Sequence, residues 1–166
     1  VGSSDAIEPI RTRDELAENL DLSKISTAPG RFDLEELKGL NAKLLHKLPY
    51  EDVAERLEAM GITGGEAFWD AVRGNVTVLA DAKGWWQVVA GEISPVIEDA
   101  AFLSRAGEVL PDEPWTHDTW GLWTNAVKVA TGAKGRALFH PLRLALTGTD
   151  QGPELKLLLV LMGRER

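Results

Sequence analysis

The chain has 166 residues, 44% of them hydrophobic and 27% charged, a globular balance that excludes general disorder. With no cysteine, it excludes disulfide frameworks, thiol catalysis and cysteine-ligated zinc, and it fits a reducing, cytoplasmic setting. A net charge of −8 argues, taken alone, against a nucleic-acid partner, because phosphate binding draws on clustered positive charge.

That average hides an asymmetry. Residues 1–127 carry 11 basic and 23 acidic side chains, whereas residues 128–166 carry seven basic and three acidic. The longest apolar run, residues 157–162, falls far short of the roughly 20 residues that a membrane-spanning helix needs. The first residues are small, polar and acidic, so no export signal is expected.

Along the chain the apolar periodicity is helical. Asp33 is placed to cap a helix, with Glu36 as its capping-box partner. Leu34, Leu37, Leu40, Leu44, Leu45 and Leu48 then form one stripe. Pro49 stops that helix and opens the next, which runs to about Gly61 with Val53, Leu57 and Met60 facing inward. Gly64 and Gly65 open a long helical stretch through about Val89, carrying Phe68, Trp69, Val72, Val76, Leu79, Trp85 and Trp86. Gly74 and Gly84 interrupt it; each costs about 1 kcal/mol relative to Ala, so a break or a close approach is expected there.

Pro95 introduces a helix ending near Gly107, and the Leu-Pro-Asp-Glu-Pro turn at 110–114 marks a subdomain boundary. Trp115 and Thr116 form the staple and cap of a helix carrying Trp120, Trp123 and Val127, with Gly132 past its end. Two further helices are predicted, from Pro141 to Gly148 and from Pro153 to Gly163. The fold class is therefore all-α, an irregular multi-helix bundle in two packed subdomains. Trp69, Trp85, Trp120 and Trp123 fall on apolar stripes and read as core.

Catalytic chemistry is not evident. His46, His117 and His140 lack metal-ligand spacing, and there is no nucleophile elbow or Gly-rich phosphate loop. The segment Leu-Ser-Lys-Ile-Ser at 22–26 resembles the Lys-Met-Ser-Lys-Ser loop of class I aminoacyl-tRNA synthetases. It has one lysine instead of two and no nucleotide-binding fold around it, so it reads as a decoy.

The C-terminal segment is the informative one. Residues 134–148 (Lys-Gly-Arg-Ala-Leu-Phe-His-Pro-Leu-Arg-Leu-Ala-Leu-Thr-Gly), then Gly-Pro-Glu-Leu at 152–155 and Leu-Met-Gly-Arg-Glu at 161–165, closely resemble the C-terminal signature of bacterial glutamyl-tRNA synthetases. Two blocks agree in order: Ala-Pro-Gly-Arg at 28–31 leading into residues 32–41, and Gly-Ser-Ser-Asp at 2–5 with Glu8 and Pro9. The resemblance spans essentially the whole chain. It implies a fragment: residues 1–30 end a stem-contact region, 31–110 form a first helical anticodon-binding subdomain, and 111–166 form a second. The family's catalytic domain, with ATP and Mg, would lie outside this chain, which alone would hold no cofactor, no metal and no catalytic residue.

The local reading agrees with that role. Pro141 and Pro153 open helices whose N-termini present backbone N–H groups suited to phosphates or bases. Arg143, in the first turn after Pro141, would oppose the helix dipole, which points to an outside partner or to pairing with Glu154 or Asp150. Carried over from the family, the anticodon contacts fall on Arg143, Gly152, Pro153 and Leu155, and Lys134 and Arg136 are placed for tRNA phosphates. Members of the family that read one anticodon base tightly carry an Arg in a segment resembling Arg73-Gly74-Asn75. Here Asn75 stands at that position, with Arg73 two residues before it, which opens the choice between tRNA for glutamate and tRNA for glutamine. The expected partner is tRNA, with no DNA and no membrane, and the expected state is a monomer. The competing reading is an acidic helical module that binds a protein, for which the Trp85–Trp86 pair would be the exposed anchor.

Overall fold

The computed structural model describes residues 12–25 and 33–164. The motif residues at 2–5, 8–9 and 28–32, together with Ser26 and Glu165, lie outside the described residues. Among the described residues there are nine α-helices and no strand, so the chain is all-α. No helix among them is long and apolar enough to cross a membrane, and no group of three or more His, Asp or Glu is placed to hold a metal ion.

The first segment carries α1 (Arg13–Glu18), closed by a capping box between Thr12 and Glu15, and no residue of this helix is buried. Leu22–Lys24 is a single 3₁₀ turn capped by Asp21, so the lysine of the synthetase-like loop sits on an isolated turn.

Helix α2 (Leu34–Leu45) starts at Asp33 as expected, with the cap bond donated by the Glu35 amide. Its leucine stripe is graded, because Leu34 and Leu37 are exposed while Leu45 is buried. Pro49 then leads into a 3₁₀ turn (Tyr50–Asp52), and α3 (Ala54–Ala59) follows, with Val53 and Leu57 sealed in the core.

The long helical stretch is divided into two helices at the first of the two glycines where a break or close approach is expected. Helix α4 (Gly65–Val72) ends in a 3₁₀ turn at Arg73–Asn75, and Val76 is extended and buried. The Asp81 carboxylate then accepts from the amides of Thr77 at 2.8 Å and Val78 at 3.0 Å. Helix α5 (Ala82–Ala90) begins after it. The break falls at Gly74, and its physical cause is the pair of backbone donors captured by Asp81 together with Val76 turned into the core. Gly84 sits inside α5, where an added Cβ would meet open space, so it interrupts nothing.

Two other starts differ from the sequence expectation. Helix α6 is Ala100–Glu108, five residues after Pro95, because the Asp99 side chain caps it through the Phe102 amide at 2.9 Å. Between Pro95 and this start, the Val96 amide donates at 3.1 Å to the carbonyl of Leu144, far along the chain. Helix α7 is Thr119–Thr131 and ends at Gly132 in the left-handed conformation, as expected. Its entry is a turn in which the Thr119 hydroxyl accepts from the Thr116 amide at 2.8 Å.

Helix α8 spans Arg136–Thr147 and contains Pro141 in its interior. Proline normally costs about 3 kcal/mol in a helix interior, because it removes one hydrogen bond and crowds the preceding turn. Extending the helix back to Arg136 places Leu138 beside Leu142 in the core, and the amides of Leu138 and Phe139 bond to the Gly135 carbonyl at 3.1 Å. Pro141 is therefore not a helix start, and Arg143 is not in a first turn. Helix α9 (Leu155–Met162) closes the chain.

Two hydrophobic cores result. The first surrounds Trp69 and Phe68 with residues of α2 to α5; the second joins Ala106 of α6, Trp123 and Val127 of α7, and Leu138 and Leu142 of α8. Helix α9 serves both: Leu155 and Leu158 enter the first core and Leu159 the second. That double burial explains why its sequence is apolar almost all round. Each core is pinned by a tryptophan that donates at 2.8 Å to a carbonyl of another segment, Trp69 to Leu48 and Trp123 to Ala106. A buried indole N–H left without an acceptor would cost about 1–3 kcal/mol.

Candidate nucleic-acid interface

The structure brings together four of the sequence-predicted contacts. Arg143, in the second half of α8, donates from Nη2 to the Pro153 carbonyl at 2.9 Å. It thereby ties α8 to the turn that enters α9. Pro153 is fully buried and Leu155 is 5% exposed, so they form the inner wall of this turn.

Gly152 has φ of +141°, a region that favours glycine, and an added Cβ would lie 2.2 Å from Cη2 of Trp85. The indole of α5 thus supports the turn from the side of the first core. Thr147 braces the preceding loop, since its hydroxyl lies 2.8 Å from the Arg143 carbonyl and accepts from the Thr149 amide at 3.2 Å.

The partner of Arg143 is thus a backbone carbonyl, neither of the two carboxylates weighed from sequence. Its other amino group, Nη1, is buried and makes no hydrogen bond. Burial pulls the guanidinium below the usual arginine range, and the nearby Asp150 carboxylate opposes that shift. The side chain stays charged at neutral pH.

Beside this turn lies a groove of about 280 Å³, lined by Trp120, Phe139, Arg143, Glu154, Leu155 and Lys156. Lys156 is ion-paired with Glu154 at 2.7 Å on its rim. Phe139 is 45% exposed, and its ring centroid is 6.3 Å from that of Trp120 at an interplanar angle of 37°. Trp120, expected in the core, is half-buried and packs against both cores, whereas the sequence signals no role for Phe139. Phe139 follows Leu138 on α8, so it is turned away from the buried face.

Lys134 and Arg136 flank Gly135 at the true N-terminus of α8, and both are exposed. Arg136 lies in the first turn of α8, where its cation opposes the helix dipole. Arg136 contacts Nε2 of His140 at 3.4 Å, and Nδ1 of the same ring lies 3.2 Å from the Glu98 carboxylate.

Arg73 and Asn75 belong to a second locus, the turn after α4. Arg73 is held by the Leu48 carbonyl at 3.3 Å and by Asp70 at 3.3 Å, whereas Asn75 is exposed. Trp85 and Trp86 are half-buried against the first core, and the Trp86 ring packs edge-on against Phe68 with centroids 5.1 Å apart. They do not form an exposed pair.

Residues 96–166, which hold α6 to α9 and the Arg143 turn, match the family described as "Anticodon binding domain". The chain is 53% identical over 167 residues, 99% of its length, to glutamate–tRNA ligase 2 of Methylorubrum populi. It is 54% identical over 165 residues to glutamate–tRNA ligase 2 of Beijerinckia indica subsp. indica, and 52% identical over 166 residues to glutamate–tRNA ligase 1 of Parvibaculum lavamentivorans. In each case it spans 37% of the relative's length. The chain is similar over nearly its whole length to the C-terminal region of glutamate–tRNA ligases, and its last 71 residues match the family of anticodon-binding domains.

Proposed function

We propose that this chain recognises the anticodon of a tRNA within a glutamate–tRNA ligase, and so positions the tRNA for ATP-dependent glutamylation carried out by other parts of that enzyme. The observation that carries this reading is the Arg143 clamp on Pro153. It holds Gly152, Pro153 and Leu155 as one rigid turn in the segment where basic side chains outnumber acidic ones. A preformed turn of this kind suits an unstacked base, which is read by its edge and face.

Arg143 has two parts to play in the proposal. One amino group holds the turn. The other is a buried donor without an acceptor, a condition that costs about 1–3 kcal/mol and that a base carbonyl or ring nitrogen would relieve. Lys134 and Arg136 supply backbone-phosphate contacts around the α8 N-terminus. At the second locus Asn75 contacts an anticodon base with less reach than an arginine and without its charge, and Arg73 holds that turn in place. The partner is then tRNA for glutamate, with tRNA for glutamine as a second substrate of the same surface. ATP and Mg would act in the remainder of the ligase. A cytoplasmic monomer completes the reading.

The test is incubation of the chain with tRNA, ATP and glutamate. It should shift tRNA in a gel with an affinity that falls as salt rises, and it should form no aminoacyl-tRNA. Salt-independent capture of a protein without tRNA binding would replace this reading with that of an acidic protein-interaction module.

A further inference from the structure

We propose that His46 and Asn41 are positioning residues for Asn75. From the end of α2 they hold the backbone that follows the Arg73–Asn75 turn, and so fix where the Asn75 side chain meets an anticodon base. This inference rests on the anticodon reading and adds to it two residues of the first core region, which precedes the segment matched to the anticodon-binding family.

The turn is gripped on both flanks by one segment, residues 41–48. Before it, Nη1 of Arg73 donates at 3.3 Å to the Leu48 carbonyl, which also accepts from the Trp69 indole at 2.8 Å. After it, Nε2 of His46 lies 3.1 Å from the Val76 carbonyl, and Nδ2 of Asn41 donates to the Thr77 carbonyl at 2.5 Å. A carbonyl only accepts, so the His46 ring donates here through Nε2. The Asp81 carboxylate takes the remaining polar groups, the amides of Thr77 and Val78.

Burial does not account for these bonds. Thr77 and Val78 are exposed, so water would satisfy their backbone groups equally well. Ordering the side chains that replace water costs conformational entropy, and what they contribute in return is a fixed backbone direction. Val76, buried and extended, anchors that direction in the core directly after Asn75. Asn75 itself is exposed, and its side chain has no hydrogen-bond partner among the described residues. An arginine could make up for a displaced backbone with its length, but a short neutral amide cannot. Accurate placement of Asn75 therefore has to come from the backbone, and His46 and Asn41 hold that backbone in place.

The test is binding of a stem-loop RNA with the glutamate anticodon to the 166-residue chain and its variants. His46→Ala should weaken binding by roughly twofold to tenfold. His46→Gln should restore it, because the glutamine amide nitrogen lies as many bonds from Cα as Nε2 does. His46→Asn, whose amide stops short of that point, should not. Asn75→Ala should weaken binding by about tenfold in the unaltered chain. In a His46→Ala background the same change should cost about threefold or less, because both residues act on one contact. Equal losses in the two backgrounds, or restoration by Asn as good as by Gln, would overturn the positioning role while the anticodon reading stands. Arg143→Ala, at the other locus, should lose the same factor in both backgrounds; if it does not, His46→Ala has loosened the fold generally and the positioning role is overturned. A chain that binds the stem-loop no better than one with its anticodon bases replaced overturns both readings.

Discussion

Trp85 occupies the space that a side chain at Gly152 would need, its Cη2 lying 2.2 Å from the position of an added Cβ. The contact joins α5 of the first core to the turn that enters α9. Gly152 is thus required twice, by its φ of +141° and by the indole. Gly152→Ala should destabilise the fold by about 3 kcal/mol in urea unfolding. Much of that cost should vanish in a Trp85→Ala background, because only the steric part depends on the indole. Costs that simply add in the double variant would show that the two residues are not coupled.

Arg143 reaches from α8 to the Pro153 carbonyl, one residue before the Glu154 carbonyl that accepts the first α9 bonds, from the amides of Leu157 and Leu158. Without the guanidinium, the entry to α9 loses its tether. Arg143→Ala should speed hydrogen exchange at Leu157 and Leu158 while the Trp123 region of the second core stays protected. The stability loss should be about 1 kcal/mol. Unchanged exchange at α9 would mean that the turn holds without its strut.

At the second locus, Asn75 ends the 3₁₀ turn and is exposed, while Arg73 is committed to Leu48 and Asp70. An arginine at position 75 would add a long charged donor at a point from which the native side chain makes only a short, neutral reach. Asn75→Arg should separate the affinities for glutamate and glutamine anticodon stem-loops by about 1–3 kcal/mol beyond any native difference. If both affinities change equally, Asn75 has no part in the choice between them.

Asp21, which belongs to neither locus, provides a pH-dependent test. The Ser23 hydroxyl donates to its carboxylate at 2.6 Å and the Ser23 amide at 2.9 Å, which hold its pKa below the ordinary aspartate value of about 3.9. A depressed folded-state pKa means that the cap contributes fully above the unfolded value and is lost as pH falls through the folded one. An NMR titration of the carboxyl carbon should give a midpoint below that of a model peptide, and Ser23→Ala should raise it. No rise in that variant would assign the shift to another cause.

How far the sequence disclosed this arrangement depended on the kind of signal. Stripes such as Val53–Leu57 and Trp123–Val127, and left-handed ends at Gly132 and Gly148, report local physics and gave the helices. Pro141 misled because proline at a helix start is the common case. Only burial of Leu138 in a core assembled from distant segments extends α8 back to Arg136. The break after α4 depends on Asp81 reaching back to two amides, a choice that apolar periodicity does not record. At the site, family motif residues came together around Arg143, but the identity of its partner did not follow from charge. Charge and position offered an outside partner or a carboxylate, whereas within the fold the guanidinium bonds a carbonyl. Phe139 went unassigned because a single exposed aromatic beside a buried leucine carries no periodic signal.

The central claim is that this chain reads anticodon bases and does not merely hold RNA by charge. Its most direct test is a pair of dissociation constants, measured at one salt concentration, for a stem-loop carrying the glutamate anticodon and for the same stem-loop with those bases replaced. The account predicts tighter binding of the first by about tenfold or more. Equal constants would contradict it.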